Sequence, residues 1–243
     1  MSKRNRKKVS DLEAGIDSHP GTPLLQAFQS CEIAKDAFEV SALQVRRLLL
    51  SLENPNRQPE DRSHGVMQNS GESFKEVLRR LLHFLASAES LVRTTEQTVQ
   101  RDFIAQALRL AHKEAVASTF HRPPAACFMR DIQAYMRNRT DLPMVETRYT
   151  VPRPKYIEVF IDAADMLHWA KWTPPARGFL HRFLSKLPVL RIVDDHVERT
   201  RTFYHRFVRR LREHHGQDMD AAKALMEELH GSPSCLPPIL RFP

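Results

Sequence analysis

The chain has 243 residues, 42% apolar and 27% charged, with 37 Lys and Arg against 29 Asp and Glu and a formal charge of +8. Glycine occurs only 7 times and no two glycines lie within three residues of each other, against ordinary usage of ~7% of all residues. This excludes all-β sandwiches and barrels, which need many turn glycines, and glycine-rich phosphate loops.

Residues 1–22 read as a disordered basic arm, because Lys3, Arg4, Arg6, Lys7 and Lys8 are followed by Gly15, His19-Pro20-Gly21 and Thr22-Pro23. A helix is expected from Leu24 to Leu52, with Thr22 before Pro23 as its cap. Asn54 to Gly71 is polar, contains Pro55 and Pro59, and reads as a long loop. The strongest helical pattern follows, opened by Ser70 or Ser73, with Phe74, Val77, Leu78, Leu81, Leu85, Ala88, Leu91, Thr95 and Val99 on one face. A third helix is expected over Arg101–Thr119, and Pro124 opens a fourth through Phe128, Ile132 and Tyr135.

A short extended or β connection is expected near 144–156, where Thr147 to Val151 is β-branched and aromatic between prolines. Tyr156 to Trp172 is apolar with two tryptophans, and Pro174-Pro175 opens a short helix through Phe179 and Leu180. A long helix runs from about Leu190 to His215, Gly216 stops it, and Asp218 or Asp220 caps a last helix ending at Gly231. Residues 231–243 form a Pro-rich tail. The sum is an all-α helical bundle of about six to seven helices, with a single domain over 23–230.

The cysteines Cys31, Cys127 and Cys235 are odd in number and far apart. They read as reduced thiols of a cytoplasmic protein, Cys31 and Cys127 in the core and Cys235 exposed. No run approaches ~18 consecutive apolar residues, so no membrane partner is expected.

Several constellations invite chemistry. The run Lys3 to Lys8 holds five positive charges in six residues and reads either as a solubilising tail or as an arm for nucleic acid, DNA included. Arg209 stands five residues before His214 and Arg210 five before His215. An arginine can hold a phosphate while a histidine moves a proton, as metal-free RNA cleavage requires; equally, basic groups complement a helix C-terminus. Asp194, Asp195, His196 and Glu198 match no closed metal site, and the in-helix pairs Arg191–Asp195 and Asp195–Arg199 account for the run. Asp162, Asp165 and His168 would share one side of a helix near Trp169 and Trp172. Arg148, Tyr149, Arg153, Lys155 and Tyr156 interleave cations with rings, either to stack bases and hold phosphates or to keep an edge strand soluble. No cofactor and no metal are expected.

Phe128 to Pro143 reads FMRDIQAYMRNRTDLP. It resembles the HEPN superfamily, helical bundles in which a helix ending in Arg-Asn-Tyr-x-x-His is followed closely by Leu-Pro. The order of parts from Phe74 to His215 is similar too. Tyr135 and Leu142-Pro143 match; Gln133 stands at the Arg position, Ala134 at the Asn position and Asn138 at the His position, with Arg130 nearby but out of place. The resemblance implies a degenerate member of phage-defence or toxin–antitoxin setting. Such a member would act as a binding or scaffold protein, with RNA, another protein or a second copy of itself as partner. A metal-independent ribonuclease and a DNA-associated accessory protein are the alternatives.

Overall fold

Apolar residues spaced at three and four fold as helices almost throughout. In the computed structural model they form α1 (Lys3–Ser18), α2 (Gly21–Glu53), α3 (Ser70–Val99), α4 (Gln106–Val116), a π-helical turn (Ala117–His121) and α5 (Pro124–Asn138). Strands β1 (Met144–Tyr149) and β2 (Tyr156–Asp162) follow, then α6 (Ala163–Met166), α7 (Pro174–His181), β3 (Lys186–Pro188) and α8 (Val189–Gly231). The structure describes residues 3–53, 70–102, 104–138, 142–149, 156–183 and 185–231, and of 3–8, 53, 70–72, 146–149, 156, 157, 230 and 231 the backbone only. The architecture is an all-α bundle with a small three-stranded antiparallel sheet in the order β1-β2-β3. Among the described residues, no helix is long and apolar enough to cross a membrane.

The chain divides into two compact units, 1–33 with 206–243, and 34–205, where the sequence reading has one domain over 23–230. The divisions fall inside α2 and α8 at Ile33-Ala34 and His205-Arg206. Neither point carries a proline or glycine, so composition gives no sign of them.

In the 34–205 unit, Phe38, Ala42, Val45 and Leu49 of α2 are buried at alternating spacings of four and three, the seam of a heptad. Two ion pairs tie α2 to α8, Glu39 with both donors of Arg201 and Arg46 with Asp194, one heptad apart on each helix. A chain of ring contacts crosses the core: Phe38 on Phe84, Phe84 edge-on to His196, His196 to Phe120, Phe120 to Phe203, and Phe203 to His112. His112 Nε2 is 3.0 Å from Thr95 Oγ1 and satisfies a buried polar pair between α3 and α4.

The third helix is shorter than Arg101–Thr119. It starts at Gln106 and passes at Ala117 into a π turn, closed by Arg122 N–H donating to Ala117 O five residues back. Pro123 and Pro124 carry no N–H, so the winding cannot continue through them. Pro124 opens α5 as expected. One side of α5 meets an aromatic cluster: Phe128 and Tyr135 stack on Trp172 at 5.6 Å each, Trp169 meets Tyr135 edge-on, and Phe179 lies 5.3 Å from Phe128. The Trp172 indole donates to Met166 O at 2.6 Å. Asp131 Oδ2 accepts from Thr173 N at 2.9 Å and Thr173 Oγ1 at 2.6 Å, which joins α5 to the residue that caps α7.

The extended connection is a hairpin. β1 pairs with β2 from Met144↔Ile161 to Tyr149↔Tyr156, and β3 adds Ile161↔Leu187. Asp162 ends β2 and caps α6, its carboxylate accepting from Ala164 N and Asp165 N. The helix expected to align Asp162, Asp165 and His168 is therefore absent.

In the unit of 1–33 with 206–243, residues expected as a disordered arm form α1. Val9, Leu12 and Ile16, spaced by three and four, give it an apolar side, and Ile16 is buried. Thr22 does not cap α2, which starts one residue earlier; its hydroxyl donates to Ile16 O at 2.6 Å and ties the α1–α2 turn. Gly216 does not stop α8, which continues to Gly231 without a break at Asp218 or Asp220. The buried positions Leu211, Met219 and Ala222 keep the helical spacing across it, and a helical glycine costs only ~1 kcal/mol against alanine.

Two glycines of this unit, Gly21 and Gly216, behave oppositely. A Cβ at Gly216 meets nothing within 4 Å, whereas one at Gly21 would land on the Asp218 carbonyl oxygen of α8. Gly216→Ala should therefore raise stability by about 0.5–1 kcal/mol. Gly21→Ala should lower it by about 1–3 kcal/mol, as overpacking does. Urea unfolding of both variants checks the opposite signs.

Candidate functional site

The 34–205 unit carries a half-open chamber of about 370 Å³ among α3, the π turn, α5 and the start of α8. Its floor is apolar: Leu85, Ala88, Val92, Phe120, Ala126 and Met129. Its rim is polar and balanced in charge, Glu89 and Glu96 against Arg93 and Arg130, with His121 and Gln133. The π turn presents Phe120 and His121 here, in keeping with the concentration of such turns at functional sites. Cys127 of α5 donates its thiol to His121 O at 3.0 Å and fixes the end of that turn, while burial pushes the thiol pKa up.

His196 of α8 lines the chamber. It is 7% exposed, touches Phe84 and Phe120, and its Nδ1 has no hydrogen-bond partner. Burial, and then the nearby Arg199 cation, lower its pKa to about 4. The imidazole is neutral at physiological pH, a buried polar group in a mostly apolar wall.

A constriction of about 10 Å³, room for one water, shares Ala126, Met129 and His196 with the chamber. It shares Ala125, Ile192, Asp195 and Arg199 with a second pocket, of about 210 Å³. That pocket also holds Arg182, Arg191, Phe179 and Phe183.

The sequence-derived candidates distribute as follows. Arg130 and Gln133 reach the chamber rim. Tyr135 is 1% exposed and belongs to the aromatic core. Asn138 donates its amide to Ala134 O within its own helix at 2.6 Å. Arg209, Arg210, His214 and His215 lie on α8 in the other unit. Arg209 Nε lies 3.7 Å from Glu213 Oε1, the partner at i+4, and not with His214, because five helical residues rotate a side chain about 140° away. His214 is exposed; His215 is half-buried, with its Nε2 lacking a partner. Asp194 pairs with Arg46 across helices, and Asp195 makes neither expected in-helix pair among the described residues. Arg148 lies in β1 opposite Ile157; its side chain, those of Lys3, Arg4, Arg6, Lys7 and Lys8, and all of Arg153, Lys155 and Cys235 fall outside the described residues. The loop over 54–69 and the tail over 232–243 fall outside them too.

Sequence reasoning missed Glu89, Arg93 and Phe120 as site residues, and weighed His196 and Arg199 only within a metal-like run and an in-helix ion pair. One signal was present: His196 occupies an inward position of the α8 seam, between Val193 and Thr200, where an apolar residue is the norm.

No protein-family model, no curated protein and no solved structure matches the chain.

A neutral buried imidazole makes stability pH-dependent. The unfolded chain takes up a proton at about 6.5 and the folded one only at about 4, so the unfolded state binds more protons in between. The stability linked to His196 is complete above pH 6.5 and is lost as pH falls through 4. Glu76, held down to about 2 by Arg79 and Arg80, loses its contribution only below 4.5. Between pH 6.5 and 4.5 the wild type should thus lose about 2 kcal/mol that a His196→Leu variant does not lose, measured by urea unfolding across that window.

Proposed function

We propose that the protein is a HEPN-like helical bundle that acts by binding, without catalysis, and that the chamber of the 34–205 unit takes an uncharged apolar group of a partner protein. The observation that carries this reading is the wall formed by α5. Gln133, at the position where the resemblance places a phosphate-holding arginine, donates its amide to Glu89 Oε2 at 3.2 Å. A carboxylate at that point repels a phosphodiester instead of holding it. Asn138, at the histidine position, spends its amide on its own helix and has no proton to exchange near neutral pH. Between a protein and an RNA partner, a rim without net positive charge favours the protein. The chamber's size falls in the ~300–1,000 Å³ range of small-molecule sites, and its apolar floor suits an apolar group.

Two measurements test this. Nile red, an uncharged apolar dye, should brighten with the wild type and far less with Ala88→Phe, whose ring fills the chamber, with circular dichroism confirming the fold. Equal brightening would remove the chamber from the reading. Total RNA incubated with the protein in chelator should remain intact. Cleavage that disappears in His214→Ala/His215→Ala would establish the ribonuclease alternative. The DNA-accessory alternative is tested by replacing Lys3, Arg4, Arg6, Lys7 and Lys8 with Gln, which keeps α1 in place where truncation of 1–22 would remove it. DNA affinity and its salt slope should be unchanged.

A further inference from the structure

Arg182, Arg191 and Arg199 come from two places in the chain, the end of α7 and the first turns of α8, and line one pocket of about 210 Å³. None of the three has an ion-pair partner among the described residues. Elsewhere in this unit Arg201, Arg46 and Arg122 are neutralised by Glu39, Asp194 and Glu114. Asp195 lines the same pocket but lies beyond ion-pair distance of the arginines. Three guanidiniums against one carboxylate leave two positive charges facing a shared cavity. Such a lining sets up a positive potential that favours an anion. The pocket also includes Pro123, Pro124 and Ala125 at the start of the fifteen-residue α5, whose dipole adds positive potential. The lining also holds apolar residues: Phe179 and Phe183, with ring centroids 5.0 Å apart, and Ile192.

We propose that this pocket binds a phosphate monoester carried on a small flat apolar group. The charge count selects the monoester. A dianionic phosphate matches two net positive charges, whereas a sulfate ester or phosphodiester carries one negative charge and leaves the cluster half compensated. The guanidiniums supply paired donors suited to phosphate oxygens, and the phenylalanine rings take the flat group. The pocket is separate from the chamber and stands whether or not the proposed function does.

Phenyl phosphate, phenyl sulfate and inorganic phosphate, titrated calorimetrically at neutral pH, test the proposal. Phenyl phosphate should bind, inorganic phosphate more weakly for lack of the ring, and phenyl sulfate about tenfold more weakly than phenyl phosphate or worse. Arg191→Gln and Arg199→Gln should each weaken phenyl phosphate about tenfold or more, while Arg209→Gln, in the other unit, should leave it unchanged. Arg191 is exposed, so its replacement spares the core, and circular dichroism verifies this. Equal affinity for phosphate and sulfate, no effect of the pocket variants, or an equal loss in Arg209→Gln would overturn the proposal. A short single-stranded oligouridine that binds more tightly than phenyl phosphate, and loses binding in the same variants, would overturn it too, reassigning the pocket to a nucleic-acid backbone.

Discussion

Everything that gives the 34–205 unit its pockets depends on how α5 is held, and α5 is held by a charge. The Asp131 side chain is 9% exposed, and its Oδ2 takes two hydrogen bonds from Thr173 while Arg130 neutralises Oδ1. Hydrogen bonds to a charged group contribute about 1.5–3 kcal/mol, and here they fix one helix to the first residue of another. The aromatic cluster then fills the same interface, each ring pair worth about 0.5–1.5 kcal/mol beyond its area. With Phe128, Ile132 and Tyr135 committed to that side, Ala126, Met129, Arg130 and Gln133 are left to the chamber. The charge decides which side of α5 is structural and which is available.

The same division runs through α8. Its seam is apolar except at His196 and Thr200, both buried. Thr200 satisfies itself on His196 O, whereas His196 keeps an unpartnered Nδ1. An isosteric apolar residue would pack there without that deficit. A core that retains such a group stores a cost where it borders a cavity.

Much of this was legible in the residues. Glycine scarcity and apolar spacing foretold the long helices, Pro124 marked the start of α5, and the β-branched stretch near 144–156 became a hairpin. Two of the failures share one cause. Local punctuation lost to a continuing buried face: Gly216 sits inside α8 because Leu211, Met219 and Ala222 hold the seam on both sides, and the arm folds because Ile16 has a place to bury. The site was less legible because it is assembled from distant segments. Glu89, Phe120, Gln133 and His196 meet only once four elements have packed. The Arg209–His214 spacing, conspicuous in the sequence, dissolves because helical geometry prefers the neighbour at i+4.

The π turn at Ala117–His121 is one residue too many for an α-helix, made permanent by the prolines that follow it. Removing a single residue there would restore ordinary winding and swing whatever follows by about 100°. Phe120 and His121 would leave the chamber, while α4 before the turn would keep its packing. Because Phe120 also carries ring contacts to His196 and Phe203, one codon there bears on the site and on the core together.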